Sequence, residues 1–326
     1  MKKTFAAAWV GATLVAAPLT AHAQTKWDLP AAYPASNYHT QLLQTFAKDV
    51  AALSNGKLTI TVHDSASLYK APEIKRAVQG NQAQIGEILL SNFANEDPVY
   101  ELDGVPFLAR GFDASWKLYQ AQKPVLQKKL NAQGMTLLYS VPWPPQGLYT
   151  NRDLKSVADM KGLKWRAYSP ATARLAELFN AQPVTVQASE LSQAFATGIV
   201  DSFMSSGSTG YDSKVYEYVK HFYNTEAGLP KDAVIVNQRA FNALDAATQQ
   251  AVLQAAAKAE EAGWKIAQER AAWYLEQLAK NGMTINTPTP ELVSGLNKIG
   301  DIMLGEWLKK AGAEGQALID NYRKQP

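Results

Sequence analysis

The segment 159–170, Asp-Met-Lys-Gly-Leu-Lys-Trp-Arg-Ala-Tyr-Ser-Pro, sets Arg166 between the aromatic neighbours Trp165 and Tyr168, just before Pro170. Read as a strand of period two, it puts Leu163, Trp165 and Ala167 on one face and Lys164, Arg166 and Tyr168 on the other. An arginine so placed either covers apolar surface with its stem or is held ready for an anion. Its planar, always-charged fork matches a carboxylate through two parallel hydrogen bonds. The nearest acidic residue toward the preceding turn is Asp159, so no local ion pair explains the charge.

Other chemistry is sparse. Glu87 stands in the apolar run 84–90, where a carboxylate either reaches solvent at a strand end or has a partner or a task. Trp143 precedes Pro144 and Pro145, a rigid turn that makes it a structural corner or the wall of a cleft. Ser205-Ser206-Gly207-Ser208-Thr209-Gly210 is neither Gly-x-Ser-x-Gly nor a phosphate loop. It reads as a flexible loop, or as hydroxyls facing a ligand at the C-terminal end of a strand. The four histidines, His22, His39, His63 and His221, lack metalloprotease spacing, and there is no cysteine for a thiolate site, a disulfide or a nucleophile. No metal and no cofactor is expected.

The elements that position these residues alternate between strands and helices, which predicts α/β architecture with a largely parallel sheet. Residues 1–23 have the form of a secretory signal, with Lys2 and Lys3, an apolar stretch and Ala21-His22-Ala23, so the mature chain is expected to start near Gln24 in the periplasm. Removing Lys2 and Lys3 from the 32 Lys and Arg leaves 30 against 29 Asp and Glu, no footprint for nucleic acid. Helical spacing runs over 38–53, 113–132, 171–179 and a long stretch within 244–282. Strands are expected at 57–64, 83–90, 135–143, 163–168, 183–188, 199–206 and 231–236. The segment 144–162 is expected as a loop with a short helical turn, and the region of His221 as helix.

The stretch 156–206 resembles the core of the extracytoplasmic solute-binding proteins of TRAP (tripartite ATP-independent periplasmic) transporters. Asp159 to Arg166 matches an Asp-x-x-Gly-Leu-Lys-x-Arg strand, Pro183 to Glu190 a step into a helix, and Ala194 to Asp201 a turn ending in Thr-Gly-x-x-Asp. The resemblance implies two hinged α/β lobes around a central cleft, with a long C-terminal helix spanning both. Lobe I is expected to comprise 24–145 plus about 231–270, and lobe II 146–230 plus about 271–326. It also implies a non-enzymatic monomer that captures an organic acid, with Arg166 pairing its carboxylate, and delivers it to the membrane permease subunits.

Departures from the family pattern shape the expected ligand. Gln146 stands where members such as those for sialic acid have a second arginine, and Ser205 and Ser206 stand where the pattern has Asn and Pro. A monocarboxylate is therefore expected, a small 2-hydroxy or 2-oxo acid of the mandelate or pantoate kind, rather than a dicarboxylate or sugar acid. Its body would lie against Trp143, Tyr168, Tyr33 or Phe203, with Gln146, Ser205, Ser206 and Glu87 as further candidates for contact. An exported serine hydrolase using Ser205, Ser208 and a histidine is the competing class, and a chemoreceptor module shares the binding chemistry.

Overall fold

A computed structural model describes residues 24–325, and the expected signal segment lies outside them. The first stretch of chain forms β1 (Thr25–Pro30), α1 (Tyr38–Leu53), β2 (Leu58–His63), α2 (Ala71–Gln79), β3 (Ile85–Leu89), α3 (Gly111–Ala132) and β4 (Met135–Pro142). The second forms β5 (Gln146–Thr150), β6 (Lys164–Ala167), α4 (Pro170–Leu178), β7 (Gln182–Thr185), α5 (Leu191–Ala196), β8 (Ser202–Ser206), α6 (Gly207–Asp212) and β9 (His221–Tyr223). The chain then adds β10 (Lys231–Asn237), α7 (Gln238–Asn242), α8 (Ala246–Lys280), β11 (Thr284–Asn286) and α9 (Pro290–Lys324).

Local chemistry explains the boundaries that matter for the cleft. Asn37 caps α1 by accepting from the His39 N–H, and the helix buries Leu42, Leu43, Phe46 and Val50 along one face. It stops where Asn55 and Gly56 take positive φ. Ser169 caps α4 with Pro170 at its first turn, which ends the Arg166 strand and fixes its direction.

Two lobes follow from the pairing. In the first, β1 and β2 run parallel, whereas β10 lies between β3 and β4 and is antiparallel to both. The second is a six-stranded mixed sheet in the order β11-β9-β5-β8-β6-β7. The expectation of a largely parallel sheet therefore fails. Apolar runs such as β3 and β10 report burial on both faces, not strand direction, and β10 is reversed because it returns from the other lobe. The expected loop after Trp143 contains β5, and His221 opens β9 rather than sitting on a helix.

The chain crosses between lobes at Pro142–Gln146 and returns at Ala227–Lys231. The crossings are tied together: the Trp143 N–H donates to Pro230 O at 2.8 Å, Gln146 N–H to Gly228 O at 3.0 Å, and Ala227 N–H to Gln146 O at 2.9 Å. Both long helices bridge the lobes. α8 packs Val252 through Ala267 and Tyr274 in the first core, and Leu278 in the second. α9 packs Leu292, Leu296, Ile299 and Met303 with the second core, then carries Trp307, Leu318 and Ile319 into the first. Its later part thus differs from the expected grouping of 271–326 with lobe II; Gly312, at φ 60°, breaks the helix and lets the last turns fold back.

Small residues at four-residue spacing, Ala251, Ala255, Ala259, Gly263 and Ala267, let α8 lie close to α1 and β4. A Cβ on Gly263 would sit 2.5 Å from Val141 Cγ2 and 2.8 Å from Leu42 Cδ2. Overpacking of about 1–3 kcal/mol should outweigh the helix-propensity gain of about 1 kcal/mol. Gly263→Ala is therefore expected to lower the urea midpoint at unchanged slope; a raised midpoint would show that Val141 yields without strain.

Candidate ligand-binding cleft

Arg166 lies on β6 between β7 and β8, in register with Val184 and Phe203, and is 4% exposed. Its Nε donates to Val186 O at 2.9 Å, and its guanidinium carbon sits 4.9 Å from the Tyr168 ring centroid. Burial lowers its pKa to about 10, with Tyr168 and Tyr33 working against that shift, so the group stays cationic at neutral pH. Among the described residues no carboxylate pairs with it. A buried guanidinium with one carbonyl partner retains donors for an incoming anion.

The cleft around it draws on both lobes. The first contributes Tyr33, Asn37 and Trp143, the second Gln146, Tyr168, Gln187, Ser205, Thr209 and Asp212. Tyr33 and Trp143 meet edge to face with centroids 4.7 Å apart, a pre-formed apolar wall. Gln146 begins β5, donates from Nε2 to Pro144 O at 3.0 Å and accepts from the Tyr168 hydroxyl at 3.5 Å. Asn37 crosses the cleft, donating from Nδ2 to Asp212 Oδ2 at 2.7 Å while its Oδ1 caps α1.

Six sequence-predicted residues, Arg166, Gln146, Ser205, Tyr168, Trp143 and Tyr33, line this one cleft. Three do not. Ser206 caps α6 by accepting from the Thr209 N–H, and its carbonyl accepts from the Tyr149 hydroxyl, so it is a structural hinge between strand and helix. Residues 207–212 are helical because of that cap, which corrects the flexible-loop expectation. Phe203 is fully buried in the second-lobe core, stacked on Tyr149 with centroids 4.4 Å apart.

Glu87 neither lines the cleft nor reaches solvent, being 4% exposed. Its Oε1 lies 3.6 Å from His39 Nδ1, which in turn is 3.9 Å from Asp232 Oδ2. The ligand atoms of the three lie within 4.8 Å of one another, a donor set whose chemistry suits a divalent cation. Asp232 Oδ1 is already taken: it accepts from Trp143 Nε1 at 3.1 Å and from the Tyr33 hydroxyl at 3.5 Å. Burial and then the Asp232 charge hold the Glu87 carboxyl well above the usual carboxylate range.

Asn37 and Asp212 were not anticipated. Asn37 had the signature of a helix cap, and a cap that also reaches across lobes has no further mark in sequence. Among the described residues the serine hydrolase arrangement lacks its base. Ser208 meets Asn37 and Asp212, His63 pairs with Asp28, His39 faces Glu87, and His221 lies beside Asn286.

Residues 31–301 match the family described as bacterial extracellular solute-binding protein, family 7. The chain belongs to that family. It is the extracytoplasmic solute receptor of a TRAP transporter and not an enzyme. The C4-dicarboxylate-binding periplasmic protein DctP of Rhodobacter capsulatus is 27% identical over 82% of this chain and 81% of its own length. The crystal structure of DctP6, a Bordetella pertussis extracytoplasmic receptor binding pyroglutamic acid, is similar with TM-score 0.92 and 72% identity, covering 92% of this chain and all (100%) of that one. A marine metagenome TRAP protein with co-purified pyroglutamate has TM-score 0.91 and 43% identity, over 93% of this chain and 99% of its own. No helix among the described residues of the receptor is long and apolar enough to cross a membrane.

Burial raises the Asp232 pKa from 3.8 to about 7. A carboxyl raised on folding stabilises below its unfolded pKa, and that contribution is lost as pH rises through the folded value. His39 opposes it: burial lowers the ring from 6.5 to about 3, so its contribution is present above the unfolded pKa and lost on acidification. Asp232→Asn removes only the first effect. Its melting temperature relative to the parent should therefore increase between about pH 4 and pH 8 by calorimetry; a difference that does not change with pH would contradict the burial of a titrating carboxyl.

Proposed function

We propose that the receptor captures pyroglutamate or a closely similar small cyclic monocarboxylate and delivers it to the TRAP membrane permease. The observation that carries this reading is the buried, carboxylate-free Arg166 at the cleft, in a chain that shares 72% identity with a pyroglutamate receptor. In this reading the guanidinium takes the ligand carboxylate through two parallel hydrogen bonds. The cleft has a cavity volume of about 60 Å³. At about 10–15 Å³ per water that is room for a few waters, hence for a small solute.

Pyroglutamate has one carboxylate, one lactam N–H donor and one lactam carbonyl acceptor. A single arginine suits the one acid, and Gln146, Asn37, Asp212 and Ser205 supply both donors and acceptors for the lactam. The ring methylenes pack against Tyr33 and Trp143. This revises the mandelate- or pantoate-like expectation: the body of the ligand is a small polar ring, and the amide-rich lining is what favours it. The lobes, 24–145 with the return near 231 and 146–230 with parts of the terminal helices, close over it and exclude water. The segment 1–23 acts as an export signal to the periplasm.

Arg166→Ala is expected to bind pyroglutamate on the order of 100-fold more weakly or worse by isothermal titration calorimetry, with an unchanged circular dichroism spectrum. Arg166→Lys should recover only part of the loss, because a point charge cannot make the two parallel bonds. Retention of parental affinity in the alanine variant would remove Arg166 from the site. A thermal-shift series with pyroglutamate, mandelate, pantoate and succinate should give its largest rise with pyroglutamate.

A further inference from the structure

Behind the cleft lining, the first lobe buries a polar group that is not itself part of that lining. Asp232 sits on β10, the central strand of its sheet, and is 2% exposed. One oxygen of its carboxylate is shared by two residues of the cleft wall, Trp143 through its indole N–H and Tyr33 through its hydroxyl. The Tyr33 and Trp143 rings approach edge to face, and the His39 ring, 4.3 Å from Trp143 and 6.1 Å from Tyr33, backs both of them. Tyr38 packs beside His39 at 4.2 Å and meets Trp143 edge to face at 5.9 Å. The second carboxylate oxygen, Oδ2, faces His39 Nδ1 without a hydrogen bond.

A buried carboxylate adds little net stability, because the cost of desolvating it offsets much of what its hydrogen bonds return. Its geometry here has another consequence. An indole can rotate about two side-chain bonds, and packing alone leaves several poses for it. A bond from its only donor to a fixed strand residue selects one. The same oxygen sets the Tyr33 hydroxyl.

We propose that Asp232 is a positioning residue for ligand selection, which fixes from behind the orientation of the Trp143 and Tyr33 rings that form the apolar wall of the cleft. The proposal rests on the reading of this cleft as a site for a small cyclic acid. Asp232 acts through the two rings and does not contact the ligand. Its effect on affinity is therefore carried by Trp143 and separable from its effect on folding.

The test uses Asp232→Leu, Asp232→Asn and Trp143→Phe in the full mature chain. Asp232→Leu leaves the indole N–H and the Tyr33 hydroxyl without their acceptor, so it should lower the melting temperature while the fold persists and weaken pyroglutamate binding roughly 10- to 100-fold, the range expected when a buried donor loses its partner. Asp232→Asn, whose Oδ1 still accepts from the indole, should restore affinity to within about threefold of the parent. In the Trp143→Phe background most of the loss caused by Asp232→Leu should vanish, because the cycle removes the shared partner. Parental affinity in Asp232→Leu, or an equal loss with Phe at 143, overturns the proposal.

Near-ultraviolet circular dichroism of the unliganded proteins separates this idea from the choice of ligand. The band assigned to Trp143 by the parent-minus-Trp143→Phe difference should change in Asp232→Leu and persist in Asp232→Asn. If the parent fails to bind pyroglutamate, the ligand reading falls while this spectral comparison still decides the positioning role. If the leucine variant does not fold, Asp232→Ser, with a hydroxyl too short to reach the indole, takes its place with the same expected losses.

Discussion

A guanidinium removed from water needs acceptors, and Arg166 has a single carbonyl and the face of one tyrosine. The second lobe is organised around supporting that unfinished charge. β6 is held between β7 and β8, Trp165 anchors its other side through an indole bond to Thr172 O, and the Ser169 cap ends the strand where the side chain must emerge. Burial strengthens any hydrogen bond an anion would make with the group.

The first lobe answers with the opposite polarity. Asp232 and Glu87 are buried acids, held up toward their neutral forms, and they stand behind Tyr33 and Trp143 rather than in the cleft itself. Placing the carboxylates behind the wall keeps them from competing for Arg166, and Asp232 also accepts from both wall residues. The crossings at 142–146 and 227–231 bring Trp143 of the first lobe and Gln146 of the second, three residues apart, to the same cleft. Asn37 then links the lobes through Asp212. A hinge, a wall and a cross-cleft contact are built from few residues because the chain passes the cleft each time it changes lobe.

Much of this was legible in the linear pattern. The span of α1, the Arg166 strand, the long α8 and the return near Lys231 follow from periodicity, caps and stops. Strand direction did not follow: β10 is as apolar as a parallel strand, and only the return from the other lobe makes it antiparallel. Ser206 was misplaced for a related reason: it adjoins Ser205, and neighbours in a strand point to opposite faces. Phe203 has the parity of Ser205 but lies two residues further back along the strand, in the core against Tyr149. Glu87 was marked as unusual by its apolar surroundings, but its partners His39 and Asp232 are distant in sequence, and nothing local marks Asn37 as a contact between lobes.

The sequence by itself determined the alternation of strands and helices, the family, and the arginine without a local counter-ion, because these depend on residue type and short-range spacing. Tertiary structure alone decided which residues share the cleft, how the acids are buried behind its wall, and which half of α9 belongs to which core. Those outcomes depend on chain segments tens to hundreds of residues apart meeting in space. No local propensity encodes such a meeting; it is set by which apolar faces bury one another.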